Sequence, residues 1–285
     1  MRTLVGYMPD PRGEDALALA TLVIRATSSE LVVVNVHPPA WSVPGPGAVD
    51  AEWVAYLEET ANAGLAEARR RLSGRRLPAI AYIKYATRGS GRGLTEVAAD
   101  ASAELIVIGS SPGGRAGRIA IGSTADQLLH GSSVPVMLAP RGFAADPPRR
   151  FERLTFAFRP GADSDVVVPR AADFAASLGV PLRLITLIIR PPGPVRPFVR
   201  GQIERAESDL TGVRKLVEPY VKVDTEVACS STVAGALRTV GWLPGEILAS
   251  ASSVGGPIRT VFLGDTSGKL VRAAPCPALV LPGAG

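Results

Sequence analysis

Glu104–Pro140 reads ELIVIGSSPGGRAGRIAIGSTADQLLHGSSVPVMLAP, and Glu246–Pro282 reads EILASASSVGGPIRTVFLGDTSGKLVRAAPCPALVLP. The two align without a gap at a constant offset of 142 positions: Glu104 falls on Glu246, Ser110 on Ser252, Gly113 on Gly255, Gly122 on Gly264, Thr124 on Thr266, Leu128 on Leu270, Pro135 on Pro277 and Pro140 on Pro282. Agreement at one register over this length is the mark of a duplicated unit. Each copy passes from an apolar strand through a loop rich in glycine and serine to a helix (Ser123–His130; Thr266–Arg272) and a closing apolar strand (Val134–Ala139; Ala278–Leu281).

Outward from these segments the copies also begin alike. RTLVGY (Arg2–Tyr7) and RLTFAF (Arg153–Phe158) are strand-like, and each is followed by a turn containing Pro, Gly and Asp and by a helix-like stretch, Glu14–Ala26 and Val166–Leu178. Strands that read as buried on both faces follow at Leu31–Val36 and Leu182–Ile189, each running into a Pro-Pro pair. Next come helices at Ala51–Leu72 and Gly201–Leu216, strands at Ala79–Ala86 and Val221–Ala228, and helices at Leu94–Ala103 and Val233–Gly241. Strands alternating with helices at these lengths make βαβ units and a mainly parallel sheet covered on both faces. The expected fold is therefore α/β: two doubly wound, Rossmann-like domains of five strands each, residues 1–140 and 151–285. The polar, proline-bearing RGFAADPPRR at 141–150 joins them.

A chain of 285 residues has room for two such cores, and 46% hydrophobic with 20% charged residues excludes a disordered or collagenous protein. No stretch approaches the apolar length of a membrane span, and Met1–Asp10 lacks the apolar core of a signal peptide, so the expectation is a soluble, cytoplasmic protein without a membrane partner. Two histidines (His37, His130) and two cysteines (Cys229, Cys276) are too few and too scattered for a structural zinc site, and the cysteines read as buried thiols rather than a disulfide. The net charge of +5 lies wholly in the second half: residues 1–146 carry 14 basic and 14 acidic groups, residues 147–285 carry 17 and 12. The densest run, Arg69, Arg70, Arg71, Arg75 and Arg76, reads as a solvated helix end, since no aromatics interleave with it as a nucleic-acid platform would need.

In such sheets a ligand sits at the carboxyl ends of the strands, where helix starts present free amides to an anion. The segment from Ile108 to Thr124 fits that description: Gly109 ends the LIVI run, Gly113 and Gly114 lie in the loop, and Gly122-Ser123-Thr124 opens the next helix. Glycine admits close backbone approach, and the Ser123 and Thr124 hydroxyls add donors, so a polyphosphate is well served; a helix cap and a tight turn account for the same residues without a ligand. Arg88-Gly89-Ser90-Gly91-Arg92-Gly93 mimics a dinucleotide fingerprint but reads as a loop, no GKS or GKT forms a P-loop, and no G-x-S-x-G elbow is present. His130 is expected at a helix C-terminus. Trp41 and Trp53 flank Ser42–Gly47, which reads as a loop with packed aromatics.

With these residues the chain resembles tandem universal stress proteins over nearly its whole length. Nucleotide-binding members of that family carry Gly, two residues, Gly, nine residues, then Gly-Ser or Gly-Thr. Gly109, the nine residues Gly113–Ile121, and Gly122-Ser123 fall in register, with Pro112 at the second glycine. The resemblance implies an adenine nucleotide α-hydrolase-like fold and ATP, with magnesium as counter-ion, in the first domain. The base would lie against Tyr7, Met8, Val36 and His37, and the phosphates near Ile108, Gly109, Gly113, Gly122, Ser123 and Thr124. Two departures stand out: Met8 occupies the place of the family's nucleoside-contacting Asp, with Asp10 two residues on, and the second copy has Ala251, Val254 and Asp265 where the motif needs Gly, Gly and Ser, with Arg159 at the nucleoside acid. The second copy is thus expected to be silent. The resemblance further implies an intramolecular pseudo-dimer joined through the last strands, itself compatible with a homodimer, and a regulatory role with at most slow, incidental hydrolysis; an interaction module that has lost the ligand is the competing expectation.

Overall fold

The structure, a computed structural model, describes residues 1–39, 49–161, 164–190, 197–252 and 265–283. The first half is built from β1 (Arg2–Gly6), α1 (Pro11–Thr27), β2 (Glu30–His37), α2 (Val49–Leu72), β3 (Ile80–Ala86), α3 (Ser90–Asp100), β4 (Leu105–Gly109), α4 (Ser123–Gly131) and β5 (Val136–Ala139). The second repeats the order with β6 (Arg153–Ala157), α5 (Ser164–Ser177), β7 (Leu182–Ile189), α6 (Pro197–Val217), β8 (Val223–Ser230), α7 (Val233–Thr239), β9 (Glu246–Ala251), α8 (Asp265–Ala273) and β10 (Ala278–Leu281). The ten strands of the described residues form one sheet in the order β3-β2-β1-β4-β5-β10-β9-β6-β7-β8. The α/β architecture expected from the repeat is present, and each half follows the doubly wound order.

Every strand pair within a half is parallel, and only β5 and β10, at the centre, run antiparallel, with Leu138 opposite Ala278, Met137 opposite Leu279 and Val136 opposite Val280. Both strands are four residues long and wholly buried. An apolar strand of that kind left as an edge invites pairing, and here each covers the other. Alternate residues along the strands feed two helical layers. Val5, Val33 and Val107 pack with α1, α2, α5 and α6 in one cluster that runs through both halves, and Leu4, Val32 and Ile106 pack with α3, α4, α7 and α8 in another.

Two segments differ from their sequence reading. α3 begins at Ser90, not Leu94, so the Gly-rich run read as a loop forms its first turn; a Cβ at Gly91 would stand 2.5 Å from Gln127 Cβ and one at Gly93 2.6 Å from Thr87 Cγ2, and glycine is what lets the helix start so close to its neighbours. The 141–150 stretch is docked on α1. The buried carboxylate of Asp15 accepts the amides of Gly142 and Ala144, each at 2.8 Å, and Phe143 and Phe151 enter the core. In the second half Arg170 of α5 holds the tail after β10 through the carbonyls of Pro282 and Gly283.

Other side chains depart from expectation in smaller ways. Both cysteines are free, Cys276 buried and Cys229 half-buried; burial pushes the Cys276 thiol pKa up. Trp53 is not packed inside: it stacks on Tyr56 on an exposed face of α2, while Trp41 lies outside the described residues. The arginines ending α2 are engaged, Arg70 and Arg71 with Glu67, Arg71 also with Glu14, and Arg69 over the Tyr82 ring. Among the described residues no helix is long and apolar enough to cross a membrane.

Among the described residues the second half contains a buried charge cluster with no counterpart in the first. Glu246, fully buried, accepts from Arg153 (3.0 and 2.8 Å), Arg183 (2.7 Å), the Leu243 amide (2.8 Å) and the Thr155 hydroxyl. Arg183 also reaches Glu226 at 2.8 Å and lies 5.4 Å from the Trp242 ring. Burial opposes ionisation of Glu246, but the hydrogen bonds from Arg153, Thr155 and the Leu243 amide, with the charge of Arg183, hold its pKa below the usual carboxylate range. Its folded pKa being depressed, the stabilisation is full above the unfolded value of about 4.3 and is lost as pH falls through the lower folded value. Glu246→Ala leaves Arg183 buried without its main partner and is expected to cost about 3–5 kcal/mol in urea unfolding at pH 7, with a smaller difference from wild type near pH 3.

Candidate functional site

At the carboxyl ends of β1, β2 and β4 a cleft of about 140 Å³ opens between the starts of α1, α3 and α4. The strand order reverses direction there, β1 lying between β2 and β4, which is the switch point where open α/β sheets receive ligands. The end of β1 is fixed by the Tyr7 amide donating to the Val34 carbonyl at 2.8 Å and by Asn35 Nδ2 donating to the Tyr7 carbonyl at 3.0 Å. Val34, Val36, Leu94 and Ile108 give the cleft an apolar side; Ser90, Ser111, Ser123, Thr124, Asp10 and Arg12 give it a polar one.

Seven of the nine residues singled out from the sequence line this one space: Met8, Val36, Ile108, Gly109, Gly122, Ser123 and Thr124, with Tyr7 beside them. Two do not. His37 donates from Nδ1 to the Pro38 carbonyl at 2.9 Å and is not among the lining residues, and Gly113 stands exposed in the loop with nothing within 4 Å of a Cβ placed on it. His130 closes α4 as expected, its Nδ1 donating to the Asp126 carbonyl at 2.7 Å. Tyr7 donates from its hydroxyl to Glu14 at 3.1 Å, and burial, then the charge of Glu14, pushes its pKa up; its side chain packs with Val5 and Val33 on the α1 and α2 side of the sheet.

α4 starts at N-cap Gly122 with no side chain capping it. The amides of its first turn therefore remain as donors toward the cleft, beside the Ser123 and Thr124 hydroxyls. The loop before it is pinned at both ends. The Ser111 amide donates to the Ala120 carbonyl at 2.9 Å, the Ala120 amide to Ser110 Oγ at 2.8 Å, and Arg141 reaches across to the carbonyls of Pro112 and Gly114 at 3.1 and 2.6 Å. Pro112 thus contributes its carbonyl to the clamp.

The glycines divide by what stands over them. A Cβ on Gly109 would lie 2.1 Å from the Arg12 carbonyl, and one on Gly13 1.8 Å from the Met8 carbonyl, so both are needed where α1 crosses the ends of β1 and β4. Gly122 is tight against Ser111, 3.0 Å from Cβ to Cβ.

Sequence reasoning placed Asp10 near the site and missed Arg12, Gly13, Ser90 and Ser111. The signal for the first two was local: Asp10 followed by Pro11 is an N-cap with proline at the first helical position, which sets α1, and Arg12 with it, at the end of β1. Ser90 required knowing that the Gly-rich run is helical. In the second half Val254, Gly255, Gly256 and Gly264 lie outside the described residues, as does the side chain of Asp265; Arg159 is exposed beyond β6.

The universal stress protein family profile matches residues 1–140 and again 150–282. Universal stress proteins of Mycobacterium tuberculosis and Mycobacterium bovis are each 37% identical over 295 aligned positions, covering 99% of this chain and 100% of theirs. Among solved structures, a universal stress protein from Archaeoglobus fulgidus superposes over 98% of this chain and 97% of its own with a TM-score of 0.69 at 16% identity, and a putative one from Pseudomonas aeruginosa over 99% and 93% with a TM-score of 0.60 at 14%. The chain belongs to the universal stress protein family, as two such domains in tandem.

The two kinds of glycine can be separated by substitution. Gly109→Ala is expected to lower stability by about 1–3 kcal/mol, because backbone must move to admit the methyl, whereas Gly113→Ala is expected to stay within about 0.5 kcal/mol of wild type; paired urea titrations of the two variants measure this.

Proposed function

We propose that this protein is a stress-response regulator whose first domain binds an adenine nucleotide, ATP in the simplest case, in the cleft between β1, β2 and β4. Family membership supports the stress-response role. The observation that carries the nucleotide reading is the meeting, in one cleft, of an apolar side formed by Val34, Val36, Leu94 and Ile108 with the uncapped start of α4. A base has apolar surface to lie on, and phosphates have free amides and two hydroxyls to accept.

The role proposed is sensing, in the cytoplasm. Asp10, the acid that lines the cleft, is held by Arg12 and by two amides of α1, which leaves it poorly placed to activate a water for attack on a γ-phosphate, so hydrolysis is expected to be slow and incidental. The second domain is proposed to be silent, on the strength of Ala251 and Asp265 in its copy of the motif. A second reading, an interaction module that has lost its ligand, is favoured by Met8, half-exposed at the cleft where an acid would meet a ribose.

Calorimetric titration of the purified chain with ATP separates the two. Saturation near one nucleotide per chain supports the first reading; saturation near two shows a working second domain; absence of heat, with a melting temperature indifferent to ATP, supports the interaction module. Ser123→Glu puts a carboxylate at the exposed start of α4, where it suits the helix dipole, and is expected to leave melting unchanged while lowering ATP affinity by about tenfold or more.

A further inference from the structure

Among the described residues the cleft is lined by one cation and one anion, and they hold each other. Arg12 donates to Asp10 Oδ2 through Nε at 3.0 Å and Nη2 at 2.6 Å, while Asp10 Oδ1 accepts the amides of Arg12 and Gly13 at 2.9 and 3.1 Å and so caps α1. Burial works against ionisation of Asp10, but the Arg12 hydrogen bond, the Gly13 amide and the Arg12 charge outweigh it and keep its pKa below the usual carboxylate range. Both oxygens of the carboxylate are thereby occupied.

The guanidinium is not. It has five N–H donors in a plane, and Asp10 takes one edge of the fork. Nη1 has no partner among the described residues, and the side chain is 43% exposed at the cleft, with Ser111, Ser123 and Thr124 lining the same space.

A magnesium ion riding on nucleotide phosphates is ordinarily anchored to the protein by one or two carboxylates. Among the described residues Asp10 is the sole carboxylate lining this cleft, and no group of three or more His, Cys, Asp or Glu is placed to hold a metal ion. We infer that Arg12, oriented by Asp10, is the built-in counter-charge of this site, so that the ligand is a phosphate-bearing nucleotide taken as the metal-free anion, its phosphate oxygens on the free edge of the guanidinium. The inference rests on the nucleotide reading above. It assigns Asp10 the work of orienting the cation, the one position from which a carboxylate helps an anion to bind.

The test titrates the full-length protein with ATP and with adenosine, each in EDTA and in magnesium. Wild type is expected to bind ATP in EDTA with an affinity close to that in magnesium. Arg12→Ala is expected to lower ATP affinity in EDTA by about ten- to a hundredfold, the range for a lost charge-assisted pair of hydrogen bonds, and to leave adenosine affinity unchanged. Asp10 still caps α1 in that variant, so it should melt near wild type, and Arg12→Lys, which keeps the charge without the fork, should recover part of the loss. Wild type that binds ATP only with magnesium, or an Arg12→Ala that weakens adenosine as much as ATP, overturns the inference and leaves the nucleotide reading standing. Wild type that binds neither ligand in either buffer overturns both.

Discussion

Three backbone registers at the middle of the sheet, Val136 with Val280, Met137 with Leu279 and Leu138 with Ala278, set the geometry of everything else. They are the antiparallel join between two otherwise parallel five-stranded halves, made by strands too short and too apolar to stand as edges. Because the join is antiparallel, the carboxyl ends of the first half's strands and of the second half's strands lie on opposite edges of the sheet. A ligand site at one switch point is thus remote from its repeat, and each is free to change independently. The same geometry brings the amino-terminal edge of the second half beside the first half's loops: Arg118 of the glycine loop donates to the Ala273 carbonyl at the end of α8, at 2.9 Å.

Glu104 and Glu246 show how far two copies of one segment diverge in use. They occupy the same repeat position, yet Glu104 is largely exposed and meets the terminal amine at 3.6 Å, whereas Glu246 is fully buried under two arginines. What differs is the neighbours. By strand register Leu4 and Val32 in the first half stand where Thr155 and Arg183 stand in the second, and α7 is seven residues long against eleven for α3, with Trp242 beside the buried guanidinium. A buried carboxylate can be tolerated only where several donors converge on it, and those donors come from two neighbouring strands, β6 and β7, and a loop.

At the cleft, motif spacing and steric need coincide on the same residues without having the same cause. Gly109 and Gly122 belong to the glycine pattern, but Gly109 is required first by the Arg12 carbonyl that passes over it, while Gly113, next to the Pro112 that stands at the pattern's second glycine, faces open space. Arg141, beyond the repeat, clamps the loop that carries the pattern. The loop is therefore held by the chain that leads to the second half, which ties the site's shape to the tandem arrangement.

The amino-acid sequence by itself determined the duplication, the alternation of strand and helix, the apolar closing strands and the grouping of Ile108, Gly109, Gly122, Ser123 and Thr124 at a strand end and helix start, because each of these follows from periodicity, spacing and turn chemistry within short windows, while Met8 and Val36 were implied by the family resemblance. Only the tertiary structure decided that the Gly-rich run at Ser90–Gly93 is helix, that the 141–150 stretch is docked by Asp15, that His37 turns onto its own chain, and that Asp10 and Arg12 form one unit at the cleft. The physical reason is common to all four: each depends on which backbone or charge comes within hydrogen-bonding or van der Waals distance from another element, and no local pattern carries that information.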